Sequence, residues 1–176
     1  MSAVCRVIAG VSGSPRNLRA LRYAAALARG HDATLILLLA WVPPGGEAAE
    51  RGYPSPYLRR EWEQAAGERL RDALAAAFGG LPADVVVEPL AVRGPAGPVL
   101  VRAASRAGDL LVIGAGRRGT AGRVAGGYTS RYCLAHAACP VLAIPPSPLE
   151  LEAGHGLLRW AFRHHGPALP ELAGGR

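Results

Sequence analysis

The chain has 176 residues, half of them apolar, and a formal net charge of +7. This length suits about one domain with a sizeable core, and no apolar run is long enough to span a bilayer. All 20 cationic side chains are arginine, so the charge indicates a biased composition as much as an anionic partner, and we expect no nucleic-acid ligand. The N-terminal residues lack the pattern of a signal peptide, which predicts a cytoplasmic protein.

The first half of the chain is predicted to alternate between strand and helix. Apolar residues over 5–11 predict a first strand, and the serine, glycine and proline residues after it predict a turn. Apolar residues at helical spacing predict a helix over 17–29, with its arginines mostly on the opposite side. A strand over 34–41 is apolar on both faces, which is typical of a central strand. Proline and glycine residues then predict a loop over 42–56.

The second half continues the alternation. A charged, alanine-rich helix is predicted over 57–78 and a third strand over 84–92, in which Pro89 indicates an edge strand or a bulge. A helix over 97–107 and an apolar strand over 110–113 follow.

A glycine-rich segment over 114–127 leads into a predicted helix over 128–137 and a last strand over 140–144. Strictly alternating elements of these lengths predict an α/β fold, in which right-handed crossovers build a parallel sheet with helices on both faces. Residues 1–146 are predicted to form this domain, and 147–176 a C-terminal extension that is partly disordered or holds one short helix.

Ligands of such sheets bind beyond the carboxyl ends of the strands. The segments after the first, second and fourth strands meet there, and 114–127 is the most informative of them. Its glycines let backbone N–H groups approach an anion, and the following helix N-terminus adds positive potential. Two interpretations are open: a phosphate site, or a glycine-rich connection in a glycine-rich protein. A Walker loop is excluded, because the chain has no lysine.

Catalytic chemistry has little support in the sequence. Phosphoryl transfer usually needs carboxylates that hold a metal and position a nucleophile, and the three segments contain no Asp or Glu. No catalytic triad is recognisable. Cys5, Cys133 and Cys139 include no C-x-x-C pair, so no metal site is predicted. We therefore expect a protein that is not an enzyme.

Two signatures in the chain resemble those of a known family. Leu-Leu-Val-Ile-Gly at 110–114, the glycine-rich segment and Cys-Pro-Val-Leu-Ala-Ile-Pro at 139–145 resemble the C-terminal signature of the universal stress proteins. Ile-Ala-Gly-Val-Ser-Gly-Ser-Pro at 8–15 resembles their N-terminal signature. The resemblance implies a five-stranded parallel sheet in a Rossmann-like, adenine-nucleotide hydrolase-type fold. It also implies a homodimer and, in one branch of the family, bound ATP.

The residues that match the ATP-binding motif of that branch depart from it at three positions. Gly114 and Gly127 match its outer glycines, whereas Arg117 stands where a second glycine is usual and Tyr128 where Ser or Thr is usual. Ser12 replaces an aspartate of the N-terminal signature. The resemblance, together with the convergence of the three strands, predicts a set of residues that bind the adenine nucleotide. They are Val11, Ser12, Ala40, Gly114, Gly116, Arg117, Gly127, Tyr128, Thr129 and Ser130.

Three functions remain open at this point. The first is a stress-response module that binds ATP and signals as a homodimer. The second is a family member that has lost nucleotide binding and acts through protein contacts, which the three departures favour. The third is a nucleotide-hydrolysing enzyme, which the missing carboxylates disfavour. For any of them, an exposed apolar edge is a liability unless paired, so we expect the homodimer to form through Val141, Leu142, Ala143 and Ile144.

Overall fold

The computed structural model describes residues 3–12, 17–115 and 127–145. Within them five parallel strands form one sheet in the order β3-β2-β1-β4-β5, which confirms the predicted fold class. The strands are β1 (Arg6–Val11), β2 (Thr34–Trp41), β3 (Val87–Arg93), β4 (Asp109–Gly114) and β5 (Val141–Ile144). The prediction for 147–176 lies outside the described residues.

The described helices are α1 (Leu18–His31), α2 (Gly46–Gly52), α3 (Pro56–Phe78), α4 (Ala96–Ala103) and α5 (Tyr128–His136). Helix α3 begins with Ser55 as its N-cap, whose Oγ accepts a hydrogen bond from the Leu58 N–H at 3.3 Å, and Pro56 follows in the first turn. Helix α4 ends earlier than predicted. None of the helices in these residues has the length and apolar character needed to cross a membrane.

The sheet is covered on both faces, because successive side chains of a strand point to opposite sides. On β1, Val7, Ala9 and Val11 join one apolar cluster with α1 and α3. Ile8, between them in sequence, joins a second cluster with α4 and α5. The interior strand β2 contributes Leu35, Leu37 and Leu39 to the first cluster and Ile36 and Leu38 to the second, as its continuous apolar run predicted.

The prediction of a loop over 42–56 was wrong in part, because this segment contains α2. Gly45 and Gly46, which both have positive φ, start the helix after the prolines. Its glutamates then pair with arginines of two other elements, α3 and β3. Arg93 Nη2 donates to Glu47 Oε2 at 2.7 Å and also to Glu50 Oε2, and Arg59 Nη2 lies 2.8 Å from Glu50 Oε1. These ion pairs join different elements of the fold, so local sequence patterns do not predict them.

The two outer strands of the sheet differ in chemistry. Strand β3 is largely exposed and contains Glu88 and Pro89, so the edge position predicted from Pro89 is confirmed. Strand β5 is short, apolar and half-buried, and it pairs with β4 from Leu111–Val141 to Gly114–Ile144.

A buried ion pair joins the amino ends of the central strands. Arg6 donates from Nε to Asp109 Oδ1 at 2.8 Å and from Nη2 to Asp109 Oδ2 at 2.6 Å. The same guanidinium donates to the carbonyl of Ala103 at 3.2 Å, and the backbone N–H of Arg106 donates to Asp109 Oδ2 at 2.8 Å. The side chain of Asp109 is only 1% exposed, so this cluster anchors the α4–β4 connection to β1.

Candidate functional site

The strand order creates a crevice at the carboxyl ends of β1 and β4. These strands are neighbours, but the chain continues from β1 to β2 on one side and from β4 to β5 on the other. Such a change of direction leaves an opening between the two strand ends, which is where open α/β sheets bind ligands. Val11 ends β1 and Gly114 ends β4, so both predicted site residues border the opening.

Helix α5 begins beside Gly114. The Ser130 hydroxyl donates a hydrogen bond to the Gly114 carbonyl at 2.8 Å, which fixes the first turn of α5 to the end of β4. Gly127 occupies the N-cap position of α5 and has no side-chain oxygen to offer the first N–H groups. Those groups and the helix dipole are therefore suited to an anion.

The side chain of Asn17 lies between the ends of β1 and β4. No pattern in the sequence assigned this residue to the site. It occupies the N-cap position of α1, yet its side chain makes no capping hydrogen bond. Instead Nδ2 donates to the Gly10 carbonyl at 2.6 Å, and the residue is 6% exposed. A polar residue before a helix normally indicates a cap, so nothing in the sequence distinguished this contact.

Gly114 allows the close approach of Asn17. A Cβ at position 114 would lie 3.2 Å from Asn17 Oδ1, tighter than an ordinary van der Waals contact. The absence of a side chain at Gly114 therefore has a local cause, independent of any ligand.

The end of β2 forms the third side of the site. Ala40 pairs with Val92, and Trp41 pairs with Arg93. The guanidinium carbon of Arg93 lies 5.9 Å from the centre of the Trp41 ring, within the range of a cation–π contact. The carboxylates of Glu47 and Glu50 hold Arg93 from the α2 side.

The two glutamates of α2, Glu47 and Glu50, are carboxylates near this end of the sheet, and no pattern in the sequence assigned them to the site. Hydrogen bonds from Arg93 lower the pKa of Glu47 and, with those from Arg59, the pKa of Glu50. Both groups are therefore ionised and neutralised by arginine rather than open to a cation. In the described part of the chain, no three His, Cys, Asp or Glu side chains are grouped so that they could hold a metal ion.

The structure brings most of the predicted site residues to one edge of the sheet. Val11 and Ser12 lie at the end of β1, Ala40 next to the end of β2, and Gly114 at the end of β4. Gly127 and the following Tyr128, Thr129 and Ser130 form the start of α5. The predictions for Gly116 and Arg117 fall outside the described residues.

Tyr128 is an exposed residue on the first turn of α5. Its side chain is 62% exposed, and its ring centre lies 6.1 Å from that of Tyr132. Tyr132 in turn stacks on His136 with centres 4.2 Å apart. The Tyr128 ring thus lies beside the next turn of α5.

Comparisons with known proteins agree on one family. The model described as "Universal stress protein family" matches residues 5–145. A universal stress protein of Thermus aquaticus is 32% identical over 139 residues, which cover 78% of this chain and 96% of that protein. A solved universal stress protein in complex with cAMP has 25% identity and a TM-score of 0.59, covering 83% of this chain and 100% of its own. A universal stress protein from Archaeoglobus fulgidus has 25% identity and a TM-score of 0.57, with 80% and 98% covered.

Proposed function

Because this chain belongs to the universal stress protein family, we propose that it is a cytoplasmic module that binds an adenine nucleotide, ATP in the first instance, and signals as a homodimer. The observation that carries the proposal is the crevice between β1 and β4 with the uncapped first turn of α5 beside it. The similar solved structure that contains cAMP supports an adenine nucleotide as the ligand.

In this proposal each part of the nucleotide has a separate place. Adenine lies against the backbone near Ala40 and Trp41, and the ribose lies beside Gly114. The phosphates extend toward Gly127 and the first N–H groups of α5, where the helix dipole favours negative charge. Arg117 is close in sequence to this segment and supplies a guanidinium, which pairs with phosphate in a bidentate way.

Binding is favoured over catalysis by the state of the nearby carboxylates. Glu47 and Glu50 are both paired with Arg93, and Glu50 also with Arg59. The ion pair of such a carboxylate with its arginine would have to break before the carboxylate could bind a metal or position a nucleophile. A nucleotide-hydrolysing activity is therefore the weaker candidate.

Calorimetric titration of the purified chain with ATP tests the proposed function. Gly127→Val should abolish binding, because the new side chain fills the space in front of the α5 N–H groups. Gly127 has a φ of −107°, which an L-residue can adopt, so the variant should fold. Gly67→Ala is the control, since a Cβ there meets nothing within 4 Å. Unchanged affinity in Gly127→Val would place the site elsewhere.

A second candidate function, protein contacts without nucleotide, is favoured by the three departures from the ATP motif. Ser12→Asp, Arg117→Gly and Tyr128→Ser together restore that motif. Tighter ATP binding by this triple variant than by the unmodified chain would support a degenerate nucleotide site. If neither chain binds an adenine nucleotide, the protein-contact function is the better one.

The proposed homodimer forms through β5, and its disruption is a separate prediction. Leu142 packs toward one apolar cluster and Val141 and Ala143 toward the other, yet all three remain half-buried. We expect light scattering at micromolar concentration to give about twice the 18.2 kDa chain mass. Ala143→Arg should give the single-chain mass, because a second copy would have to bury the charge.

The other edge of the sheet provides the matched control. Leu90 on β3 is 42% exposed, and Leu90→Arg should leave the mass of the dimer unchanged. A monomeric unmodified protein, or an Ala143→Arg variant that still dimerises, would contradict the assignment of the interface to β5.

A further inference from the structure

Asn17 is held in one orientation at the base of the crevice. Its Nδ2 donates to the Gly10 carbonyl at 2.6 Å, and Gly10 belongs to β1. Because the two ends of a carboxamide are fixed relative to each other, this hydrogen bond also fixes the direction of Oδ1. That oxygen lies toward Gly114 on the neighbouring strand β4, 3.2 Å from the place that a Cβ would occupy.

In the part of the chain that the structure describes, no donor lies within hydrogen-bonding distance of Oδ1. Among the described residues the hydrogen bond of the Asn17 side chain is the one from Nδ2 to Gly10. No fully enclosed side-chain oxygen or nitrogen in this part of the chain lacks a partner, so Oδ1 keeps some contact with solvent. Asn17 as a residue is only 6% exposed, and its Oδ1 lies between the ends of β1 and β4.

The position of Asn17 Oδ1 determines which part of a bound nucleotide it can contact. It lies between β1 and β4, whereas Ala40 and Trp41, where we place adenine, lie on the opposite side of β1. The start of α5, where we place the phosphates, follows Gly127. Between these two places is the sugar, whose hydroxyl groups are hydrogen-bond donors that a carboxamide oxygen accepts.

We propose that Asn17 is a specificity-determining residue whose Oδ1 accepts a hydrogen bond from a ribose hydroxyl, so that the site prefers ribonucleotides to deoxyribonucleotides. This proposal rests on the proposed function. A deoxy analogue leaves a largely buried acceptor unpaired in the complex, and sites built around such a hydrogen bond reject the ligand that lacks it. Because Oδ1 retains solvent contact, we expect a preference of about tenfold rather than one of several orders of magnitude.

Calorimetric titration of the full chain with ATP, 2′-deoxy-ATP and 3′-deoxy-ATP tests the proposal. One of the two deoxy analogues should bind about tenfold more weakly than ATP. In Asn17→Ala the affinities for ATP and for that analogue should become equal within error. The ratio of the two affinities is the relevant readout, because a structural defect in the variant weakens the binding of both ligands together.

Gly114→Ala is a second variant for the case in which Asn17→Ala does not fold. Its Cβ would lie 3.2 Å from Oδ1 and displace the carboxamide, so the preference should again be lost. The ratio of affinities is again the readout, because the added methyl also borders the ribose and weakens the binding of all three nucleotides together. Equal binding of all three nucleotides by the unmodified protein overturns the role of Asn17 and leaves the proposed function intact. Failure of every adenine nucleotide to bind overturns both.

Discussion

Arg6→Met should lower the free energy of unfolding by about 3 kcal/mol, because it leaves the buried carboxylate of Asp109 without its charged partner. The methionine retains much of the apolar contact of the arginine stem but donates none of the hydrogen bonds to Asp109 and Ala103. Among the donors of the described residues, the backbone N–H of Arg106 would be the one that still reaches the carboxylate. Urea unfolding followed by circular dichroism measures the change.

Two further variants separate the charge from the packing. Asp109→Asn, combined with Arg6→Met, should recover part of the lost stability, since no unpaired charge is then buried. Asp84→Asn breaks the exposed ion pair with Arg29, in which the side chains are 58% and 48% exposed, and should leave the unfolding midpoint almost unchanged. Equal losses from Asp84→Asn and Arg6→Met would contradict the importance of burial.

The pH dependence of stability is a further test of the ion pair between Arg6 and Asp109. Burial alone would raise the pKa of Asp109, but the hydrogen bonds from Arg6 and Arg106 and the charge of Arg6 outweigh it and lower the pKa. The ionised group therefore stabilises the native state above about pH 4, and this contribution is lost as the pH falls below that value. Without Arg6, burial dominates and the pKa rises, so in Arg6→Met the same group should make the protein more stable as the pH falls toward 4.

Gly97→Ala should destabilise the protein by about 1–3 kcal/mol through overpacking between α4 and α5. A Cβ at position 97 would lie 2.8 Å from Cδ1 and Cγ of Tyr132 and 3.0 Å from its Cβ. Rotation of the Tyr132 ring cannot relieve the last contact, so the helices must separate. Helix α5 carries Ser130 and Gly127 to the crevice, and we expect weaker binding of adenine nucleotides as well.

Gly67→Ala is the matched control for this substitution. It makes the same chemical change inside α3, where the added Cβ meets nothing within 4 Å, and should raise stability by about 0.5–1 kcal/mol. Combining Gly97→Ala with Tyr132→Ala should give a smaller loss than the sum of the single changes, because the clashing ring is removed. A stabilising effect of Gly97→Ala would show that α4 and α5 approach less closely than described.

The five strands were predictable because their apolar runs are bounded by glycine and proline, and Pro89 also indicated the edge position of β3. Helix α2 was not predictable. Its short sequence is flanked by the signals of a loop, and its ion pairs with Arg93 reach across more than forty residues, from Glu47 and Glu50. The end of α1 shows a smaller difference, since the helix passes through Gly30 and ends where Asp32 adopts a φ of 50°.

The site was predictable in part, for a physical reason. Carboxyl ends of parallel strands meet at one edge, so residues at the strand ends, such as Val11 and Gly114, could be grouped from the sequence alone. Asn17 could not be assigned to the site from the sequence. An asparagine before a helix can cap that helix or bond to a neighbouring strand, and the sequence is the same in both cases. The pairing of the Ser130 hydroxyl with Gly114 likewise depends on how α5 returns to β4.

The unequal edges of the sheet have a consequence for the dimer proposed through β5. Two copies joined through β5 about a two-fold axis would each use the edge that is free to pair, and the combined sheet would then end in β3 on both sides. Pro89 removes one backbone donor from that strand and Glu88 adds a charge to it, both of which oppose further strand addition. Polymerisation into a fibre requires an interface that does not close on itself, so the chemistry of β3 would stop the assembly proposed through β5 at two copies.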